Sequence, residues 1–378
     1  MQDLQDIINL RHTLHRYPEL SNQEFETSKR ISEFIGELNP DEEISIDPTG
    51  KIFVFDSGEP GETLVFRCEL DALPIKEKSV IAYRSAFDGV GHLCGHDGHM
   101  AILCRLAQRL SEARPKRGKV ALLFQQAEES YLGAKAVVES PKFHALHPDY
   151  IFALHNIPGK PANTVLVKEG SFSAASCGIT IRLEGRTSHA AEPENGLNPY
   201  FAADAIIRKV LELPKNEEGK FHSRIFTTLI YNRLGEISFG VSPGSLEMGI
   251  TLRAYENADL DTLCRTVEHI IEEEASEAGL EHHFEYCEIY PATTNDHECV
   301  EMIEQSAQTN GLKLEQMENP NHWSEDFAYF TATNKGAQFG FGAGEEVPVL
   351  HNPSYDFPDE IIDPASKMFF EIYESKLR

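Results

Sequence analysis

The segment HLCGHDGH contains an unusual density of side chains that can bind a metal ion or transfer a proton. These side chains are, in order, His92, Cys94, His96, Asp97 and His99. Imidazole, thiolate and carboxylate groups are ligands of borderline divalent ions such as Zn²⁺, Mn²⁺, Co²⁺ and Ni²⁺. The alternative is a polar turn before a helix, in which the histidines are exposed or cap that helix. Candidate ligands elsewhere in the chain favour the metal site.

Four apolar, strand-like runs are each followed by residues that could bind a metal. They are Asp71 after LVFRCEL, Glu128 and Glu129 after VALLFQQA, His155 after YIFAL, and His351 after VPVL. Because the ends of the strands in an open α/β sheet converge on one crevice, we expect these side chains to lie close together. Five donors exceed what one four-coordinate ion with an open catalytic position needs, so two ions a few ångströms apart fit the set.

The adjacent pair Glu128 and Glu129 suits a division of roles. Neighbouring side chains on an extended chain or a sharp turn point in different directions, so one can bind metal while the other faces the substrate. The alternative is a pair of solvated surface glutamates. That alternative fits poorly with a position directly after an apolar run.

The elements that must position these residues follow from hydrophobic spacing. Helical patterns occupy the N-terminus and residues 31–38, and Ser21 with Glu24 resembles a capping box for the second helix. Short apolar runs at 52–55, 64–66, 120–124 and 150–154 are typical of buried strands, with a helical pattern at 102–110 between two of them. Strands that alternate with helices predict an α/β layer built on a mostly parallel sheet with flanking helices.

A second domain is expected from the length of 378 residues and from a change of pattern. Residues 177–290 show a strand, helix, strand, strand, helix and strand succession, which is typical of a small α+β domain. The α/β pattern returns after Pro291. We therefore predict a catalytic α/β domain formed by residues 1–176 and 291–378, with a smaller α+β domain inserted at 177–290.

The composition excludes several classes of partner. Lys and Arg number 34 against 61 Asp and Glu, a formal charge of −27, which repels nucleic acid and anionic membranes. The acidic N-terminus does not resemble a signal peptide, and no apolar run reaches membrane-spanning length, so we expect a cytoplasmic protein. The seven scattered cysteines form no CxxC pair, which argues against a secreted disulfide scaffold.

Several motifs together resemble one family of metalloenzymes. These motifs are DALP, CGHDGH, AEES, LHN, GRTSHAAEP, SEDF and LHNPSYDF. They resemble the amidohydrolase branch of the aminoacylase, carboxypeptidase and acetylornithine deacetylase superfamily of metallopeptidases, which includes N-acyl-amino-acid amidohydrolases, hippurate hydrolases and indole-acetyl-amino-acid hydrolases. The resemblance extends in order over essentially the whole chain.

The resemblance implies a site with two divalent ions, Mn²⁺ or Zn²⁺ first and Co²⁺ or Ni²⁺ as alternatives. The implied metal ligands are Cys94, His96, Glu129, His155 and His351. It implies that Glu128 is the general base toward a metal-activated water and that Asp71 orients a ligand from behind. The implied reaction is hydrolysis of the amide bond of a small N-acyl amino acid or a similar compound.

The resemblance also implies two roles for the inserted domain, which would act as a lid and form a homodimer. His189 of GRTSH would stabilise the oxyanion in the partner subunit's site, and Arg253 of ITLRAY would bind the substrate carboxylate. The alternative for His189 is an exposed loop histidine, and the alternative for Arg253 is a surface ion pair.

The chain departs from the family pattern at three positions. They are Glu69 for aspartate, Glu194 for histidine and Gly240 for asparagine.

Three other readings of the function stay open at this point. One is a dipeptidase or carboxypeptidase of the same superfamily. Another is a thiol hydrolase with Cys94 as the nucleophile and a nearby histidine as the base. The last is a binding protein that has lost catalysis, which a missing ligand or general base would support, and none is missing.

Overall fold

The computed structural model describes residues 3–130, 132–216 and 219–378. The strands, in chain order, are β1 Glu42–Ile46, β2 Gly50–Asp56, β3 Thr63–Glu69, β4 Lys119–Gln125, β5 Tyr150–Pro158, β6 Thr164–Val167, β7 Gly170–Ser173, β8 Ala175–Glu184, β9 Ser188–His189, β10 Ile225–Leu234, β11 Val241–Ser242, β12 Ser245–Ala254, β13 Glu281–Tyr290, β14 Thr293–Asn295, β15 Lys313–Gln316 and β16 Lys335–Gly344. The helices are α1 Leu4–Arg16, α2 Phe25–Gly36, α3 His96–Glu112, α4 Gly133–Val138, α5 Pro141–His144, α6 Tyr200–Glu212, α7 Asn257–Glu277, α8 His297–Thr309, α9 Ala328–Thr331 and α10 Ile362–Leu377.

The chain divides into two compact units. The first unit comprises residues 1–172, 293–320 and 325–378, and the second comprises 173–292 and 321–324. Among the described residues, no helix combines the length and the hydropathy that crossing a bilayer requires.

The first unit is built on a sheet that the described residues form in the order β1-β2-β4-β3-β5-β16-β6-β15. Strands β4, β3, β5 and β16 run parallel to one another in the middle of the sheet. On one side β2 is antiparallel to both β4 and β1, and on the other side β6 is antiparallel to β16. Every residue of β3 is buried, as expected for an apolar strand covered on both faces. The predicted α/β class with a mostly parallel sheet is confirmed.

Apolar side chains on the two faces of this sheet belong to two separate cores. Phe53 and Phe55 of β2 pack in a core with residues of α1, α3 and α10. Ile52 and Val54 of the same strand pack in the other core, with residues of α4, α5 and α9. Successive side chains of a strand point to opposite faces, so alternate residues of β2 reach opposite cores.

The predicted capping box at the start of α2 is wrong. Helix α2 begins at Phe25 with Glu24 as its N-cap, and no side chain caps it. Ser21 Oγ instead donates to the carboxylate of Asp71 over 2.7 Å. The Glu24 carboxylate accepts from Thr49 Oγ1 and from the backbone N–H of Ala127. Tertiary partners have replaced the local cap because these polar groups are needed to satisfy buried neighbours.

The second unit contains an antiparallel sheet, which the described residues form in the order β10-β12-β8-β13. Helices α6 and α7 share a core with the buried residues of β8 and β12. The order β8, α6, β10, β12, α7 and β13 matches the succession of elements predicted for this part of the chain. The short strands β9 and β11 pair separately, with His189 opposite Val241.

Candidate metal centre

The side chains predicted to bind metal converge at one place in the first unit. Three overlapping groups of side chains meet here, and within each group the donor atoms lie within 4.8 Å of one another. These groups are Cys94 with His96 and His155, Cys94 with Glu129 and His351, and His96 with Glu128 and Glu129. Because the groups share Cys94, His96 and Glu129, they form one continuous centre. The structure therefore brings together all the predicted ligands and Glu128.

A glycine allows Cys94 and His96 to reach the same centre. Gly95 precedes the first residue of α3 and has φ of 98°, in the left-handed region that favours glycine. A Cβ at this position would lie 2.6 Å from the side-chain oxygen of Asn156. The tight turn at Gly95 thus needs both the backbone freedom and the small size of glycine.

Asp71, the second residue after β3, contacts two of the predicted ligands. Nδ1 of His96 lies 2.9 Å from the Asp71 carbonyl oxygen, to which it donates, and 3.4 Å from Oδ1 of the Asp71 carboxylate. Oδ2 accepts hydrogen bonds from Ser21 and from the backbone N–H of Glu129. Burial alone would raise the pKa of Asp71, but these hydrogen bonds lower it below its usual value. Asp71 is therefore an anion with its oxygens directed at its neighbours.

A strained turn separates the side chains of Glu128 and Glu129. Strand β4 ends at Gln125, and Ala127 then adopts φ of 54°, which is uncommon for a residue other than glycine. Oε2 of Glu128 lies 3.8 Å from Nε2 of His96, whereas Oε1 of Glu129 lies 3.7 Å from Nε2 of His351. Each carboxylate thus makes an ion-pair contact with a different imidazole, and both also lie within 4.8 Å of a ring nitrogen of His96. The separate roles of the two glutamates stay a prediction.

Both glutamates have raised pKa values. Burial raises the pKa of Glu128 well above its usual value, and the nearby carboxylates of Glu325 and Glu129 add to this effect. Burial also raises the pKa of Glu129, to about 7, against the opposing influence of His96. Both carboxyl groups are therefore easier to protonate here than in water, and a bound divalent cation would oppose this effect.

Cys94 and His155 face each other with Sγ and Nε2 3.6 Å apart. Nδ1 of His155 donates to the backbone oxygen of Asn156, so Nε2 carries the lone pair that points at the centre. Burial lowers the pKa of His155 to about 3, so the imidazole is neutral. Burial and the nearby Glu129 carboxylate raise the pKa of Cys94 well above its usual value. Side chains alone therefore do not activate Cys94 as a nucleophile, which disfavours the thiol hydrolase.

The donor set fits divalent metal ions. Nε2 of His96 and Oε1 of Glu129 are buried, and neither has a hydrogen-bond partner among the described residues. Buried polar atoms without partners carry a large desolvation cost, which a cation at this place would remove. A set of imidazole, carboxylate and thiol groups suits Zn²⁺, Mn²⁺, Co²⁺ or Ni²⁺.

Behind the ligands lies a buried ionic network that the sequence did not predict. Nδ1 and Nε2 of His99 lie 2.6 Å from a carboxylate oxygen of Glu69 and 2.6 Å from the side-chain oxygen of Asn156, respectively. Arg67 pairs with Glu69, with Glu325 at 3.1 Å and with Asp326 at 2.5 Å. The motif SEDF contains two of these acids, and it was the one sequence signal for them.

His189 and Arg253 both lie in the second unit. His189 is exposed on β9, and its Nδ1 accepts the backbone N–H of Ala191 over 3.0 Å. The ring proton is therefore on Nε2, which can donate a hydrogen bond. Arg253 on β12 donates to Ser324 Oγ over 2.8 Å and to the backbone oxygen of His322. Their roles toward a substrate stay predictions.

The two departures from the family pattern in this unit lie close to His189, Glu194 along the chain and Gly240 beside the β9–β11 pair. Glu194 is exposed in the short 3-10 turn Pro193–Asn195. Gly240 accepts the backbone N–H of Ala190 through its carbonyl oxygen, and a Cβ at this position would meet nothing within 4 Å. The small size of Gly240 is therefore not required by its described surroundings.

Comparison with known proteins decides the family. The model of Peptidase family M20/M25/M40 matches residues 65–375. The chain belongs to this family. The matched range contains every site residue predicted from the sequence, including all the residues of the candidate metal centre.

Relatives of this M20 family protein cover nearly the whole chain. An N-acetylcysteine deacetylase of Bacillus subtilis (strain 168) is 30% identical over 97% of this chain and 95% of its own length. A hippurate hydrolase of Campylobacter jejuni is 28% identical over 98% of this chain and 96% of its own length. A crystal structure of a dinuclear metal binding peptidase of the M20 family from Bacillus subtilis has a TM-score of 0.85 at 28% identity, and covers 98% of this chain and 97% of the other.

Proposed function

We propose that this protein is a metal-dependent amidohydrolase that cleaves the amide bond of small N-acyl amino acids. The observation that carries this proposal is the convergence of five metal-binding side chains with the buried carboxyl group of Glu128. Relatives named as an N-acetylcysteine deacetylase and a hippurate hydrolase act on the same class of linear amide. Membership of the M20 family supports the same reaction class.

Two divalent ions would be held by the side chains that form the centre. The proposed ligands are Cys94, His96, Glu129, His155 and His351. Mn²⁺ and Zn²⁺ are the preferred ions, and Co²⁺ and Ni²⁺ suit the same donors. When bound, the ions supply positive charge that polarises the amide carbonyl and acidifies a water molecule.

Glu128 moves the proton in this proposal. Its carboxylate would take a proton from the attacking water and later deliver that proton to the leaving nitrogen. Its position suits both steps, because the buried carboxylate lies beside the proposed ligand His96, with Oε2 3.8 Å from Nε2 of His96. Asp71 would hold His96 and Glu129 in position through the contacts described above.

His189 and Arg253 would contact the substrate from the second unit. The Nε2 proton of His189 is available to stabilise the developing oxyanion, and the guanidinium of Arg253 suits a substrate carboxylate. We propose that the protein is a homodimer in which His189 of one subunit serves the metal centre of the other. Residues 177–290 would then act as a lid and as the dimer interface.

Substrate hydrolysis with a matched panel tests the proposal. The panel contains N-acetyl, N-benzoyl and indole-acetyl derivatives of the same amino acids, together with dipeptides, each assayed with Mn²⁺ or Zn²⁺. We expect hydrolysis of at least one N-acyl amino acid that stops with a chelator and returns with metal. Hydrolysis of dipeptides alone would indicate a peptidase instead. Activity that survives complete removal of metal would overturn the proposal.

A further inference from the structure

Two cysteines of the second unit lie in contact between a strand and a helix. Cys177 is on β8 and Cys264 is on α7, and their Sγ atoms are 3.5 Å apart. Cys177 is buried, whereas Cys264 is partly exposed. Neither residue belongs to the metal centre, so this pair has no place in the proposed hydrolysis.

The third cysteine of the same unit lies on the opposite face of the sheet. Cys177 shares the buried face of β8 with Ile179 and packs toward the helices. Cys287 on β13 is exposed and lies opposite Gly178 of β8. Gly178 is next to Cys177 in the strand, so this pair lies on the face of the sheet that points away from the helices. The sulfur of Cys287 lies 2.8 Å from where a Cβ on Gly178 would be. Cys287 is therefore a matched cysteine that cannot replace Cys177 or Cys264 without a rearrangement of the sheet.

The two sulfurs need only a small movement to form a covalent bond. A disulfide requires an S–S distance of about 2 Å, compared with 3.5 Å between the two thiols. The two sulfurs face each other between a strand and a helix that already pack together in one core. The bond can therefore form by rotation of the two cysteine side chains, which is a smaller change than a movement of the backbone.

The surroundings determine which sulfur reacts first and with what kind of oxidant. The hydrogen bond between Cys177 and Cys264 lowers the pKa of Cys264, although burial opposes this effect. The same hydrogen bond and burial raise the pKa of Cys177. Cys264 is thus the more exposed and the more acidic thiol, which are the properties of an attacking cysteine. Asp261 and Glu268 add negative charge beside it, which disfavours anionic oxidants.

We propose that Cys177 and Cys264 form an oxidation site at which a neutral hydroperoxide produces an intramolecular disulfide. The Cys264 thiolate attacks the hydroperoxide, the O–O bond breaks, and the sulfur becomes a sulfenic acid while the remaining oxygen leaves as an alcohol or water. Cys177 then attacks the Cys264 sulfur, the S–O bond breaks, and its proton leaves with the hydroxide as water. Two thiols lose two electrons in total, and one hydroperoxide gains them.

The disulfide joins β8 to α7 across 87 positions of the chain. A cross-link over a long loop stabilises a folded domain mainly by restricting its unfolded states. The second unit therefore becomes harder to unfold under oxidising conditions and returns to its former stability when a thiol reduces the bond. This consequence is independent of the hydrolytic reaction.

Peptide mapping of the metal-loaded wild-type protein tests the site directly. Trypsin cleaves after Lys168, Arg182, Arg253 and Arg265, so residues 169–182 contain only Cys177 and residues 254–265 contain only Cys264 among the cysteines. The protein is treated with hydrogen peroxide, denatured, alkylated and digested without reductant. We expect these two peptides to appear joined, and to separate when a reductant is added. Recovery of both peptides in alkylated form, at a dose that oxidises Cys287, overturns the proposal.

Variants separate the two steps. Cys287→Ser should give the same joined peptides as the wild type. Cys177→Ser should leave Cys264 as a sulfenic acid, which a 1,3-dione reagent traps. In the wild type, a bond from Cys264 to the peptide of residues 266–313, which contains Cys287 and Cys299, would overturn the assignment of Cys177. Oxidised glutathione, an anionic disulfide, should form the bond more slowly than hydrogen peroxide at equal concentration, and the reverse order would overturn the preference for a neutral oxidant.

Discussion

The backbone N–H of Glu129 donates a hydrogen bond to Oδ2 of Asp71 over 2.9 Å. The carbonyl oxygen of the same aspartate accepts from His96, which lies on a different element. One buried carboxylate residue thus holds two proposed ligands that come from the turn after β4 and from the start of α3. We therefore expect the geometry of the candidate metal centre to depend on Asp71, although it is not itself a proposed ligand.

Replacement of Asp71 should therefore weaken metal binding. In Asp71→Asn the amide keeps the size of the side chain but has one acceptor oxygen fewer. The hydrogen bonds that Glu129 and Ser21 donate to this side chain are therefore weakened or lost. We expect metal affinity to fall by about 10- to 100-fold, the usual effect of a residue that orients a ligand. Competition with a chromogenic chelator measures the affinity. Ser21→Ala is the control, because Ser21 contacts Asp71 but none of the proposed ligands. An equal loss of metal affinity in both variants would contradict the role of Asp71.

Alkylation of Cys94 should report metal occupancy. Coordination deprotonates a thiol but also blocks its access to a reagent, so reaction with iodoacetamide should be slow in the metal-loaded protein. Removal of metal should make Cys94 react faster, as followed by mass spectrometry of its peptide. Cys287 is exposed and distant in the chain, so its rate should stay constant. Equal rates for Cys94 in both forms would remove it from the ligand set.

Stability of the metal-free protein should fall at alkaline pH because of His15. This buried imidazole lies 3.0 Å from Asp97 and 3.2 Å from Glu77. Burial alone would lower its pKa, but the two carboxylates raise it from 6.5 to about 9. The folded state thus keeps a proton that the unfolded chain releases, so the stabilisation is complete below pH 6.5 and is lost as pH rises through 9.

The size of this effect follows from the same shift. It corresponds to about 3 kcal/mol in the free energy of unfolding. Urea unfolding at a series of pH values measures it. His15→Gln should show a smaller decline between neutral and alkaline pH than the wild type. His144→Gln changes an exposed histidine and should keep the wild-type decline, so a similar curve for both variants would refute the assignment.

The homodimer proposal leads to a test by subunit exchange. His189→Ala should lower turnover by about two to three orders of magnitude, as loss of one oxyanion donor does, and should leave metal content unchanged. Mixing it with Glu128→Gln should restore activity, because each heterodimer contains one site with both side chains intact. No recovery, with heterodimers shown to form, would mean that His189 does not act across subunits.

The convergence of the proposed metal ligands was predictable from the sequence because these residues follow local signals. His155 lies within β5, close to the apolar run of that strand, Glu129 follows the end of β4, and Cys94 and His96 share one short motif. Strand ends of an open sheet meet at one crevice, so local patterns were sufficient to predict a shared site.

The network behind the ligands was not predictable in the same way. Arg67 and Asp326 are 259 positions apart, and no local pattern links them. In the sequence, Glu69 stands out only as a departure from the family pattern, yet its longer side chain reaches His99. Ser21 illustrates the same limit, because its local environment predicted a helix cap whereas the folded chain directs it to Asp71. Such pairings follow from the tertiary structure alone.

The most direct test of the central claim is the turnover of Glu128→Gln after its metal content has been matched to that of the wild type. Glutamine keeps the size of the side chain but cannot take the proton from water. The proposal predicts that turnover falls by about two to four orders of magnitude while metal affinity stays nearly unchanged. Glu129→Gln is the matched control, which should lose metal affinity instead. Turnover of Glu128→Gln close to that of the wild type, at equal metal content, would contradict the assignment of Glu128 as the general base.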